Sequence, residues 1–140
     1  MDDLTVARQR LKDKKLSLVF VKDSQVAFET KTEGFAGFLQ AIERLNGDLS
    51  GASVADKIVG KAAALLCAYS NLCAVFAVTL SKSGFEVLNK HDIRCEFITL
   101  VSTILNLKKT DKCPFEKLVE DVNDPRKAYL KIRRFCHPKR

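Results

Sequence analysis

The sequence predicts an α/β fold in three layers, with a mixed sheet covered by helices on both faces. Three observations point there. Segments with apolar residues at helical spacing alternate with short β-branched runs, which implies βαβ crossovers and partly parallel pairing. A polar turn between two apolar runs near the start reads as a hairpin. The 140 residues are 46% hydrophobic with only six Gly and three Pro, enough for one core and unlike a disordered, collagen or coiled-coil chain.

Taken in order, residues 3–13 carry Leu4, Ala7 and Leu11 on one stripe, a surface helix. Leu16–Val21 and Val26–Thr30 flank Lys22-Asp23-Ser24-Gln25 and form the hairpin. Phe38, Leu39, Ile42 and Leu45 make a short helix that stops at Asn46-Gly47, a C-cap signal. After a small-residue loop, Asp56 reads as the N-cap or first-turn acid of a buried helix running to residue 70. A strand 73–79, a loop 80–84, a helix 85–90 and a strand 94–100, bent onward to Ile104, follow. Beyond the charged loop 108–112 lie a helix from Pro114 to Val122 and a basic helix opened by Asp124-Pro125, which supply an N-cap and a first-turn proline.

The net charge of +7 is unevenly spread. Residues 1–125 hold 17 basic and 17 acidic side chains, and residues 126–140 hold seven basic and none acidic. The opening Met-Asp-Asp is unlike an export signal, and five irregularly spaced cysteines fit reduced thiols, so a cytoplasmic protein is expected. Ala62–Leu80 is uncharged but reads as a buried helix followed by a buried strand, so no membrane partner is expected.

The best anion site in this sequence is Gly51 to Lys61, where Ser53 and Asp56 open the expected helix and Lys57 and Lys61 lie one turn apart. It matches neither a Walker loop nor a dinucleotide fingerprint, and a capped core helix with Gly60 present for close packing explains it as well. Ser81 and Ser83 form the second candidate, at the carboxyl end of a strand, with an ordinary serine cap as the plain alternative. Cys113, before Pro114 and three residues before Glu116, occupies a cap position where a thiolate is stabilised. Cys67 is the other thiol candidate, though its surroundings read as core. Neither histidine has partners at metal-ligand spacing, so no metal and no cofactor is expected.

Four blocks, DKIVGKAAALL (56–66), CAVFAV (73–78), EVLNKH (86–91) and CPFEKLVEDVNDP (113–125), together resemble a prokaryotic family of unknown function whose fold is similar to cytidine deaminase. The resemblance implies a cytidine-deaminase-like domain over residues 1–135, with 136–140 as a basic tail. Zinc deaminases carry His/Cys-x-Glu at one helix start and Pro-Cys-x-x-Cys at the next. The corresponding stretches here read Val59-Gly60-Lys61 and Ser81-Lys82-Ser83-Gly84. The resemblance therefore implies a protein without the zinc site and without cytidine deaminase activity, its old pocket made positive by Lys57 or Lys61. A binder of a small anionic or nucleotide-like ligand ranks first. A thiol enzyme using Cys113 or Cys67 ranks second, and a nucleic-acid module built on the basic C-terminal helix third. A homo-oligomer is expected on general grounds.

Overall fold

The computed structural model describes residues 1–137. Helix α1 (Asp3–Asp13) is capped by Asp2, whose side chain accepts from the Thr5 N–H at 2.9 Å. Strands β1 (Leu18–Lys22) and β2 (Gln25–Thr30) form the expected hairpin. Its two turn residues, Asp23 and Ser24, both have positive φ, +52° and +66°, as tight hairpins of the primed turn types require. The Asp3 carboxylate holds this turn by accepting from the N–H groups of Asp23 and Ser24, at 3.1 and 2.9 Å. Helix α2 (Ala36–Leu45) ends where expected, at Asn46, whose φ is +49°.

The next segment departs from expectation. In place of one helix over 56–70, strand β3 (Ser53–Val59) is followed by helix α3 (Lys61–Tyr69). Ile58 and Val59 lie at helical spacing with the apolar residues of 62–69, and so short an apolar run suits a buried helix or a strand equally. Pairing decides it: β3 is antiparallel to β1 on one side and parallel to β4 (Ala74–Ser81) on the other. Val54 and Ala55 then bury into opposite faces. Helix α4 (Lys82–Lys90) starts directly after β4, leaving no loop over 80–84. Strand β5 (Arg94–Val101) pairs parallel with β4 and stops before Ile104. Helix α5 (Pro114–Leu118) is shorter than expected, and α6 (Pro125–Cys136) takes in the first residue of the expected tail. Of that tail, residues 138–140 lie outside the described residues.

The sheet order is β2-β1-β3-β4-β5, with β3, β4 and β5 parallel. This is the mixed-sheet α/β architecture expected, with one more parallel strand than the sequence suggested. One face is covered by α1, where Leu4, Ala7 and Leu11 meet Val19, Val21, Ala55 and Phe76. The other carries the larger core, in which Phe20 packs edge-on against Phe38 at 5.2 Å and α3 is buried beneath α6. Tyr69 and Tyr129 stack at 4.3 Å to join those two helices.

The hairpin turn supplies a test. Ser24 holds a left-handed conformation that costs an L-residue about 1 kcal/mol, and it contributes only its N–H to Asp3. Ser24→Gly is expected to stabilise the chain by about 0.5–1 kcal/mol in urea denaturation. An unchanged or lower midpoint would contradict the turn geometry.

Candidate functional site

The carboxyl ends of β3 and β4 bring two helix starts together. Gly60 is the N-cap of α3 and, having no side chain, makes no capping bond. Ser81 is the N-cap of α4, and its buried hydroxyl accepts from the Gly84 N–H at 3.0 Å and lies 3.1 Å from the Ser83 hydroxyl. Gly84 sits directly against the Gly60 backbone, where an added Cβ would lie 3.0 Å from the Gly60 carbonyl carbon and oxygen.

The amides at the start of α3 are taken by a side chain that sequence reasoning assigned elsewhere. Glu116, in α5, is 5% exposed. Its Oε1 accepts from the Lys61 N–H at 2.7 Å and its Oε2 from the Ala62 N–H at 2.9 Å. A carboxylate at a helix N-terminus satisfies donors that lack an intrahelical partner and faces the positive end of the helix dipole. A Cβ at Gly60 would overlap that carboxylate, which is the close-packing role weighed for Gly60. At the third position of a proline-started helix, Glu116 reads as a cap for its own helix. The signal that could have exposed its true role is the pair of glycines, Gly60 and Gly84, where backbones approach.

Among the sequence candidates, Lys61, Ser81 and Ser83 gather at these helix starts. The Lys61 Nζ donates to the Glu120 carbonyl at 2.9 Å. The others are dispersed. Ser53 lies at the opposite end of β3, its hydroxyl 3.6 Å from the Cys73 sulfur. Lys57 is on the strand, not one turn from Lys61 on a helix, and its exposed ammonium is 3.9 Å from Glu33. Asp56 caps no helix. It is a mid-strand residue whose pKa is pushed up to about 7 by burial, opposed in part by the N–H groups of Ile58 and Lys57. Cys67 is fully buried in α3, and burial, with the charges of Asp56 and Cys95 behind it, pushes its thiol up. That environment favours the thiol over the nucleophilic thiolate. Cys113 does precede α5, but its sulfur makes no capping bond.

A zinc ion of the deaminase kind does not fit these residues. The two helix starts offer Gly60, Lys61, Ser81 and Ser83, and among the described residues no three His, Cys, Asp or Glu side chains converge on one point. The one buried carboxylate there is engaged by backbone amides. Fold and site define a three-layer α/β protein with two adjacent helix starts, one closed by an internal anion and the other by a serine hydroxyl.

A family model, TM1506, described as a domain of unknown function (DUF1893), matches residues 6–136, and the chain belongs to that family. The expected kinship with a family of unknown function is borne out. Similar solved structures include a DUF1893 family protein of Thermotoga maritima. It is 28% identical with a TM-score of 0.83, over 91% of this chain and 86% of that one. A diaminohydroxyphosphoribosylaminopyrimidine deaminase/5-amino-6-(5-phosphoribosylamino)uracil reductase of Thermotoga maritima is 17% identical, over 59% of this chain and 29% of that one, at a TM-score of 0.49. The dCMP deaminase of cyanophage S-TIM5 is 10% identical, over 68% of this chain and 93% of that one, also at 0.49. No curated protein matches the sequence. Among the described residues, no helix is long and apolar enough to cross a membrane.

Asp56 generates a pH test. Its folded pKa, about 7, lies above the ordinary 3.8, so between these values the folded chain binds more protons than the unfolded one. Stability is therefore lost as pH rises from about 4 to 7 and stays reduced above that. Asp56→Asn is expected to remove that decline, making the variant more stable than wild type by about 2–4 kcal/mol at pH 8 and by much less at pH 5. Parallel stability profiles for the two proteins in urea would refute the assignment.

Proposed function

We propose that the protein binds a small carboxylate or phosphate ligand, nucleotide phosphates included, at the start of α3, where Glu116 is a tethered anion that the ligand displaces. One observation carries this: a buried carboxylate already sits there with both oxygens on the Lys61 and Ala62 amides. The position therefore accepts negative charge in the folded chain. Its location supports the same conclusion, since open α/β sheets hold ligands outside the carboxyl ends of their strands, against helix N-termini.

Exchange leaves both amides satisfied before and after, so the main opposition is the tether. An intramolecular group competes at an effective concentration in the millimolar range or above. Lys61 and Lys112 meet at Glu120, four residues beyond Glu116: the first bonds its carbonyl and the second pairs with its carboxylate at 2.8 Å. They supply the cations that a released Glu116 or an arriving anion needs. The setting is cytoplasmic in this proposal, supported by five free cysteines, one of them fully buried.

Thermal melts of wild type and Glu116→Ala, with and without formate, acetate or phosphate, test the site. Removing the carboxylate orphans two amides and is expected to cost about 2–4 kcal/mol. Added anion at about 50 mM is expected to restore part of that loss. A variant that folds but gains no stability from any of the three anions excludes the site. Should Glu116→Ala not fold, Glu116→Gln, which keeps one acceptor, takes its place under the same criterion.

The expected homo-oligomer has one supporting feature. Strand β5 is a sheet edge, with Ile98 62% and Leu100 43% exposed, and an open apolar edge favours pairing with another chain. Ile98→Lys is expected to convert dimers to monomers in analytical ultracentrifugation. A wild-type chain that sediments only as a monomer removes this part of the proposal.

A further inference from the structure

The geometry points to α6 as a docking face for the phosphate backbone of nucleic acid, read without base specificity. Successive residues of a helix turn by 100°, which places Arg126, Lys127, Lys131, Arg133 and Arg134 within one arc of about 160°. Ala128, Tyr129 and Ile132 occupy the opposite side and are buried against the core. None of the five cations joins an ion pair among the described residues. Several charges of the body, by contrast, are paired, as in Arg10 with Glu29, Arg94 with Asp2 and Lys117 with Asp111. Asp124, the acid nearest the helix start, is turned to cap it and accepts from the Lys127 N–H at 3.0 Å.

This arrangement fits a phosphate backbone. From Arg126 to Arg133 the face extends about 10 Å along the helix axis, the rise of roughly three nucleotides of one strand. Residues 1–125 hold equal numbers of acids and bases, so the long-range field of the molecule converges on this one element and steers a polyanion to it. A membrane suits the face poorly. A helix lying on a bilayer turns its apolar side to the lipid, whereas here that side is spent on α3, leaving Leu130, 46% exposed, amid the cations. Phe135 is exposed to a similar degree but packs edge-on against Phe115 at 5.1 Å, so it is engaged by protein rather than free to stack on a base.

Fluorescence anisotropy with a labelled 20-base-pair duplex, titrated with the full chain at several salt concentrations, tests the face. Binding is expected to weaken with salt at a log–log slope of about 3 to 5. The triple variant Lys127→Ala, Lys131→Ala, Arg134→Ala is expected to lose at least about 10-fold in affinity at low salt and to lower the slope by about 3. Lys127→Arg with Lys131→Arg is expected to bind as wild type does. The replaced side chains point outward, so circular dichroism and melting temperature are expected to match wild type. Absence of binding at about 50 mM salt, where such contacts are strong, overturns the proposal, as does a folded triple variant with unchanged affinity. Binding to vesicles of anionic lipid without binding to the duplex overturns it too and reassigns the face to a membrane surface.

Discussion

Much of this structure depends on one carboxylate meeting two amides. Helix α3 is only nine residues long, and Ala62 through Cys67 are all buried. A helix this short is marginal by itself, and its N-cap, Gly60, has no side chain with which to satisfy the first N–H groups. Glu116 reaches in from 55 residues downstream to do so. The same contact fixes α5 over the start of α3, as the Tyr69–Tyr129 stack fixes α6 over its end. The last third of the chain is thereby tied to both ends of the central helix. Gly60 must be glycine for the carboxylate to approach, and Gly84 must be small for α4 to start beside it.

The electrostatic character of the site follows from that contact. Helix starts with glycines offer N–H groups at short range and the positive end of a dipole, an environment for negative charge. A cation at the same place would need anionic donors aimed at it, and the carboxylate present is committed to amides. Gly60, Lys61 and Ser81 thus give these helix starts a preference for negative charge and offer a cation no donor set. Asp56 adds to this account from one strand away. Its carboxyl is lifted by burial even with the Ile58 and Lys57 N–H groups beside it, whereas the Glu116 carboxylate has two amides at a helix start.

Elements whose signals are local were legible in the sequence. The stripe of Leu4, Ala7 and Leu11, the polar turn at residues 22–25 and the Asp124-Pro125 opening each specify their element without help from the rest of the chain. Ser81 as a cap was legible for the same reason. Strand β3 was not, because Asp56 resembled a helix cap and Ile58 and Val59 fell at helical spacing with the apolar residues of α3, while the state of so short a segment is decided by the strands beside it. That one misassignment separated Lys57 from Lys61, since the one-turn spacing holds only on a helix. Glu116 was hidden differently: its local role as a cap for α5 was plausible, and a tertiary partner with two orphan donors prevailed.

The two anion-facing features of the molecule are close neighbours: Phe135, beside Arg133 and Arg134 in α6, packs at 5.1 Å against Phe115, the residue before Glu116. They are nonetheless separable. Helix α6 reaches α3 through Tyr129 and buries Ala128 and Ile132 in the same core, while its cations face away. Neutralising those cations leaves the packing that holds α6 in place untouched, and with it the Glu116 latch. Opening the latch, in turn, removes no cation from the outer arc. Coupling between the two would require an element with two arrangements that both sites bias.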